Sequence, residues 1–251
     1  MQHSPAPAEP AAFRPDLRVI VDMTLLTVVA GAIDAITFLT LGHVFTALVT
    51  GNLLFLAFAL AGGPGVPALG PAIAVAAFVA GAVVGSLLIG WLGAATSWFS
   101  ASLLVEALLL GAGGGLAVWH HGFSLAGRPD AGVITFVGVA MGLRGAMALR
   151  AAVPGMSTLV IQTPLLRMIG QIVTNPPGHG PGPLSASELL TRIRLTASIT
   201  AIFLGGVLGA LLSPWGTGPA LLVVAAAVLV LAAVHAVMLR LTARTRPSGA
   251  E

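Results

Sequence analysis

Residues 219–241, PALLVVAAAVLVLAAVHAVMLRL, form an apolar run whose only formally charged side chain is Arg240. A helix needs about 20 predominantly apolar residues to cross the hydrocarbon core of a bilayer. This run meets that requirement, and no Gly or Pro interrupts its interior. The stretch therefore predicts a transmembrane helix.

The composition of the whole chain agrees with this prediction. Its 251 residues are 57% hydrophobic and 8% charged, and the mean hydropathy is +1.02. Soluble domains carry about 25% charged residues, so a water-soluble globular protein is excluded. The absence of cysteine excludes disulfides, thiol catalysis and cysteine metal sites. A net charge of only +3, without a basic cluster in a polar domain, argues against a nucleic-acid partner.

Apolar segments of similar character recur along the chain and predict an all-α, polytopic transmembrane helical bundle of about eight spans. Six or seven spans are alternatives, because the first two segments share a short turn and the sixth is polar. The predicted spans cover residues 19–41, 44–61, 71–92, 101–119, 131–149, 154–173, 195–212 and 219–241.

Arginine, the only basic residue type besides histidine, predicts the orientation, because short cytoplasmic loops accumulate positive charge. With eight spans and an inside N-terminus, Arg150 alone falls in an outside loop. Both termini are therefore predicted to be cytoplasmic, in a bacterial inner membrane. Residues 1–18 are predicted to be a disordered tail, 19–241 the transmembrane domain, and 242–251 a basic C-terminal tail.

Two pairs of motifs predict an internal repeat. Residues 31–35 (GAIDA) match 142–146 (GLRGA) at an offset of 111, and residues 81–91 match 205–215 at an offset of 124. Because four crossings preserve the chain direction, the two halves are predicted to be parallel repeats. The repeats cover residues 19–119 and 131–241.

The motif AGAIDAITF at 30–38, with GHVF at 42–45 and TGNLLF at 50–55, resembles the signature of the YoaK-like family of bacterial inner-membrane proteins. The stretch AMGLRGA at 140–146 is similar to a second signature of that family, although Arg144 and Gly145 stand where its amide pair usually lies. The resemblance extends over residues 20–240. It implies a multi-pass membrane protein and raises transport as an expectation, without a substrate.

Asp34 lies inside the first predicted span, where a carboxylate costs about 2.5–3.5 kcal/mol on the insertion scale. It is interpreted either as a functional group, namely a proton- or cation-coupled carboxylate or a contact for a cationic solute, or as an anchor hydrogen-bonded to a neighbouring helix end. Arg144 lies one residue from the counterpart of Asp34 in the repeat. It is expected either to pair with Asp34 in the membrane or to extend outward beside Arg150.

The polar sequence at 50–52 predicts a break in the second span, which would be either a solute site or a packing notch. The predicted substrate or ion site comprises Asp34, Thr50, Gly51, Asn52, Arg144, Thr158, Gln162 and Thr163. Glu106 is expected either to be buried and functional or to lie close enough to the interface to reach the headgroups, and the interface is favoured. Asp22 and His235 are expected near the membrane interface. Small-residue spacing predicts helix packing, within or between protomers, at Gly81, Gly85, Gly205 and Gly209.

These features favour an ion-coupled secondary transporter or exporter of a small solute. The alternative is a non-transporting scaffold, sensor or assembly partner in the membrane. Enzyme motifs such as a Walker A lysine, His-Glu-x-x-His and Gly-x-Ser-x-Gly are absent from the sequence, so no enzyme is expected. No metal or cofactor is expected. The expected partners are the lipid bilayer, a small solute or ion, and a second copy of the chain.

Overall fold

The computed structural model describes residues 17–66, 68–92, 97–120, 130–151, 162–174 and 186–244. Within these ranges the chain is helical and contains no strand, which confirms the all-α prediction. The tails predicted at the two ends, and Thr158, lie largely or wholly outside the described residues. The helices are α1 (Leu17–Thr40), α2 (Val49–Leu60), α3 (Leu69–Leu92), α4 (Trp98–His120), α5 (Ala131–Ala151), α6 (Gln162–Thr174), α7 (Ala186–Leu212) and α8 (Thr217–Arg244), with a 3₁₀ turn at Ser213–Trp215.

Six of these helices are long and apolar enough to cross a membrane, namely α1, α3, α4, α5, α7 and α8. Helices α2 and α6 contain 12 and 13 residues. At 1.5 Å per residue they extend about 18–20 Å, which is less than the ~30 Å hydrocarbon core. Among the counts that the sequence left open, the described helices therefore favour six crossings, with predicted spans two and six falling on α2 and α6.

The spanning helices pack as two close pairs around a central contact. Helix α1 packs against α7, α3 against α5, and α4 against α8, while α4 also contacts α5 and α1 contacts α8. The short helices lie at the periphery, α2 against α3 and α6 against α7. This arrangement directs α1, α4, α5 and α8 towards a shared interior.

Glycines allow the two close pairs to form. A Cβ at Gly81 or Gly85 of α3 would collide with the backbone of α5, and one at Gly205 or Gly209 of α7 would collide with the backbone of α1. These contacts lie within one chain. Since a side chain at any of these positions would separate the helices, the close approach requires glycine.

The outward surfaces of the bundle are apolar. Leu87 and Trp91 on α3, Leu108 on α4 and Phe203 on α7 are all more than 60% exposed. Helices that are apolar on every side are typical of membrane-spanning segments. Lipid, rather than water, is the solvent that suits this surface.

Helix α6 differs from the spanning helices because its exposed apolar residues share one face. Leu165, Leu166, Ile169 and Val173 are exposed and fall within about 100° of the helical circumference. Arg167 projects from the opposite side by the same spacing. An amphipathic helix of this kind is typical of the membrane interface.

Candidate functional site

A buried ion pair joins three spanning helices in the interior of the bundle. The Arg144 guanidinium on α5 pairs through Nη2 with Oε1 of Glu106 on α4. Through Nη1 it donates a hydrogen bond of 2.6 Å to the carbonyl oxygen of Leu26 on α1. The side chains of Arg144 and Glu106 are 0% exposed. Arg144 therefore links α5 to both α4 and α1 at a position closed to the surroundings.

Glycines on α5 determine which way the Arg144 side chain projects. A Cβ at Gly138 or Gly142 would collide with Ala77 or with the backbone at Phe78, so this face of α5 lies directly on α3. Because successive side chains are rotated by about 100°, Arg144 projects away from that face. It therefore meets α4 and α1 rather than α3.

The ion pair is not fully hydrogen-bonded within the described part of the chain. Oε2 of Glu106 and Nε of Arg144 are buried and have no hydrogen-bond partner there. A buried polar atom left unpaired costs about 1–3 kcal/mol, and each such atom in a folded protein requires an explanation. The buried pair therefore retains one unused hydrogen-bond acceptor and one unused donor.

A second pair of polar side chains joins α1 to α8. Nδ1 of His235 on α8 is 2.8 Å from Oδ2 of Asp22 on α1, and both side chains are partly buried. The imidazole centroid lies 4.8 Å from the ring of Phe99 on α4. Asp22 precedes Leu26 by one helical turn, so the Asp22–His235 pair lies on the α1 face that also reaches Arg144.

Asp34 anchors the connection between α1 and α2, which comprises residues 41–48. Its Oδ1 accepts hydrogen bonds from the backbone N–H groups of Thr46 and Ala47 at 2.8 and 2.7 Å, and its Oδ2 accepts one from Leu48 at 3.0 Å. N–H groups that precede a helix lack partners within it, and a carboxylate there is electrostatically favoured. Between the two interpretations of Asp34, the geometry favours the anchor.

Asn52 and Gly51 act on the same connection. The Asn52 side-chain amide accepts a 3.2 Å hydrogen bond from the N–H of Phe45 and donates one to the carbonyl oxygen of that residue. A Cβ at Gly51 would lie 2.9 Å from the Phe45 ring, which stacks on Phe38 at 4.7 Å. Gly51 and Asn52 thus hold the residues that precede α2 in place, whereas the Thr50 side chain is exposed.

The structure brings only part of the predicted site together. Asp34, Gly51 and Asn52 meet around residues 45–48, but Arg144 belongs to a separate cluster. Gln162 and Thr163 begin α6, which packs against α7, and their side chains lie outside the described residues, as does the whole of Thr158.

The predicted alternatives for Arg144, an ion pair with Asp34 or an outward extension beside Arg150, are both wrong. Three backbone N–H groups of its own half already occupy the Asp34 carboxylate. Glu106 faces Arg144 instead, because α4 packs against α5.

Of the two alternatives for Glu106, the favoured interfacial position is wrong, because its side chain is fully buried. That preference rested on its position about two turns into its predicted span and on the apolar Val230 at the equivalent position of the repeat. A clearer signal was available, since Glu106 and Arg144 are oppositely charged residues inside consecutive long apolar segments. Two isolated charges of opposite sign in such segments are expected to find each other.

Comparison with known proteins identifies a matching family and a similar protein. The model of a family described as "Protein of unknown function (DUF1275)" matches residues 23–235. The chain is 30% identical over 153 residues to "UPF0700 transmembrane protein YoaK" of Bacillus subtilis (strain 168). That alignment covers 60% of this chain and 65% of the relative, just under two thirds of its length. No solved structure matches the chain.

The family match extends over most of the chain and includes both members of the buried ion pair. The relative is named as a transmembrane protein, and the fold contains six helices of spanning length among the described residues. The chain is therefore an integral membrane protein and belongs to the DUF1275 family, the group to which its YoaK-like motifs pointed.

Proposed function

We propose that this protein is a proton-coupled secondary transporter of a small solute in the bacterial inner membrane. Glu106 is the group that carries the proton, and Arg144 is its ionic partner. The observation that carries the proposal is the fully buried, incompletely hydrogen-bonded Arg144–Glu106 pair, which joins α4, α5 and α1.

The cost of a buried charge supports this proposal. Ionisable residues within membrane spans are expensive and mark proton relays and solute pathways. Burying an ion pair seldom adds stability over apolar residues of similar volume. A role that depends on the charges themselves accounts for a pair that folding alone does not require.

The pair also offers a means of coupling. A proton on Glu106 removes the negative partner of Arg144, and an anionic group of a solute can replace that partner. Either event changes the contact of α5 with α4, while the Nη1 bond to Leu26 persists. Proton and solute would thus bias the same helix contacts, which is the condition for linked binding.

The Asp22–His235 pair supports a proton as the coupling ion. Chains of His, Asp and Glu side chains within membrane spans mark proton relays. Asp22 lies one turn from Leu26 on α1, and Phe99, which touches His235, lies two turns before Glu106 on α4. A proton arriving at His235 would be about 6–10 Å along the helices from the buried pair.

Arginine positions support cytoplasmic termini when six crossings are used. In that arrangement only Arg128 falls outside, whereas the eight-span count left Arg150 outside. The two buried pairs then lie in the cytoplasmic half, with Arg144 about 10 Å from the Ala151 end of α5. The arginines on the cytoplasmic side are Arg14, Arg18, Arg150, Arg167, Arg192, Arg194, Arg240, Arg244 and Arg246.

The test uses everted membrane vesicles that carry a respiratory pH gradient and a pH-sensitive dye. Panels of amino acids, nucleosides, organic acids and organic amines are tested one compound at a time, both loaded into the vesicles and added outside them, so that symport and antiport are each detected. A transported compound should release part of the gradient in vesicles with the wild-type protein. It should have no such effect with the double variant Glu106→Met/Arg144→Met at equal abundance.

The matched control for this assay is Leu108→Met. It introduces methionine at an exposed position of the same helix, α4, without removing a charge, and it should retain the response. An equal response from the double variant would contradict the proposal. A panel without any response, in vesicles whose protein is folded, would favour the non-transporting scaffold or sensor.

A further inference from the structure

We propose that α1–α4 and α5–α8 are inverted structural repeats, related by a two-fold axis in the plane of the membrane. Each half contributes three crossings and one short helix, so α2 and α6 lie on opposite faces of the bilayer. This inference concerns the architecture and does not depend on transport.

Equivalent residues make the two close helix contacts. A Cβ at Gly142 of α5 would collide with the carbonyl oxygen of Phe78 on α3, and one at Gly31 of α1 would collide with that of Ile202 on α7. Gly142 follows Gly31 by 111 positions, and Ile202 follows Phe78 by 124. These are the offsets that the sequence motifs gave independently.

The reciprocal contacts show the same register. Gly81 of α3 meets the backbone of Val139, and Gly205 of α7 meets that of Val28. The same offsets relate these residues, 124 for the glycines and 111 for the valines. One turn further along, Gly85 meets Leu143 and Gly209 meets Ala32, again at those offsets. Agreement at consecutive turns fixes the α3–α5 and α7–α1 contacts as copies of each other.

The remaining principal contacts follow from the same exchange of halves. Helix α2 packs against α3 as α6 packs against α7, and α4 contacts α5 as α8 contacts α1. The α4–α8 contact exchanges with itself, so the axis passes between these two helices. A duplicated unit that packs against its own copy produces this pattern.

The number of crossings fixes the relative direction of the halves. Four crossings would return the chain to its starting side and make the repeats parallel, as the sequence alone predicted. Three crossings per half, α1, α3 and α4 and then α5, α7 and α8, leave the second half entering from the opposite side. The repeats are then inverted, an architecture found in several families of secondary transporters.

The charged residues break this symmetry. The repeat positions of Glu106 and Arg144 in the other half are Val230 and Ile33, and the α4–α5 positions equivalent to Asp22 and His235 are Val133 and Gly111. Both buried pairs therefore lie towards one membrane face, while the equivalent positions towards the other face are apolar.

Cysteine accessibility tests the inversion directly, because the natural chain contains no cysteine and needs no background substitution. Single variants Pro64→Cys, Ser97→Cys, Ser124→Cys and Ser157→Cys report the connections between consecutive helices. Ser248→Cys in the C-terminal segment is the reference for the side on which both arrangements place the chain end. Each variant is exposed to a membrane-impermeant maleimide in intact cells and again after permeabilisation.

Inverted repeats require Ser97→Cys and Ser157→Cys to label like the Ser248→Cys reference, and Pro64→Cys and Ser124→Cys to label on the opposite side. Parallel four-span repeats require the reverse at Pro64→Cys, Ser97→Cys and Ser124→Cys, and they place Ser157→Cys inside the sixth span, shielded from the maleimide. The reverse pattern, or a mixed one, would overturn the inference. Labelling after denaturation verifies that every variant is present, and loss of transport would leave the labelling pattern unchanged.

Discussion

At the scale of single residues, the carboxylates of Asp34 and Glu106 have different surroundings. Three backbone N–H groups of the connection into α2 occupy the Asp34 carboxylate. Glu106 instead faces one guanidinium and retains an unpartnered oxygen. Hydropathy treats the two residues alike, because it registers a charge in an apolar segment and not the groups around it. Their roles therefore required the three-dimensional structure.

Asp34→Asn should lower stability. The amide retains one carbonyl oxygen and loses the charge, so at least one of the charge-assisted hydrogen bonds at Thr46, Ala47 and Leu48 is lost. Each such bond contributes about 1.5–3 kcal/mol. Unfolding by sodium dodecyl sulfate titration should show a decrease of about that size, while the vesicle response to solute persists in the folded fraction. Unchanged stability together with lost transport would return Asp34 to the solute site.

Arg144→Met should be far more destabilising than the double variant with Glu106→Met. The single substitution leaves the Glu106 carboxylate buried without its partner, which costs about 3–5 kcal/mol, whereas replacement of both charges by apolar residues is often neutral. The four proteins of this double-mutant cycle are compared by the same detergent titration. Additive effects of the two substitutions would show that the charges do not interact.

At the scale of helices, the offsets of 111 and 124 between the sequence motifs recur in the glycine contacts, whereas the sequence did not predict the lengths of α2 and α6. The apolar stretch at 44–61 is long enough to span. In that stretch the side chains of Asp34 and Asn52 bind the backbone of the residues that precede α2. As a result, α2 begins only at Val49. Hydrogen bonds between a side chain on α1 and a distant backbone are invisible to a hydropathy window. Glycine spacing was more informative, because a close helix approach requires particular residues at particular positions.

Two neighbouring glycines of α7 provide a controlled test of helix packing. Gly205→Ala places a methyl group against the Val28 carbonyl oxygen of α1, whereas a Cβ at Gly206 meets no atom within 4 Å. We expect Gly205→Ala to destabilise the protein by about 1–3 kcal/mol. Gly206→Ala should be neutral or stabilising by up to about 1 kcal/mol, because Gly is unfavourable in helices. Equal effects in the detergent titration would contradict the α1–α7 contact.

At the scale of the whole molecule, the two glycine-packed pairs, α1–α7 and α3–α5, form units of matching construction. The buried ion pair lies between them, since Arg144 of one unit bonds to Leu26 of the other. Close backbone contact resists change within a unit, whereas a single side chain is more readily displaced. The composition established the membrane class of the molecule. The position of the buried ion pair depended on which helices pack together, and the sequence did not determine this packing.

The proposed transport cycle requires the two units to move relative to each other, and this predicts a pattern of distances. Spin labels at Leu87 on α3 and Leu149 on α5 report one unit, and labels at Leu149 and Leu25 on α1 report the gap between units. Glu106→Gln, which imitates the protonated carboxyl group, should change the second distance distribution and leave the first unchanged. Pulsed electron paramagnetic resonance in lipid nanodiscs measures both. A change in the distance between the α3 and α5 labels would contradict the expectation that each unit moves as a rigid body.

Proton movement in Glu106→Gln vesicles tests the coupling role of Glu106 most directly. For any compound that releases the pH gradient with the wild-type protein, the variant should still exchange labelled for unlabelled compound across the membrane. It should no longer move protons, because its amide cannot take up and release one at this position. Proton movement at the wild-type ratio to solute would show that Glu106 is not the coupling group.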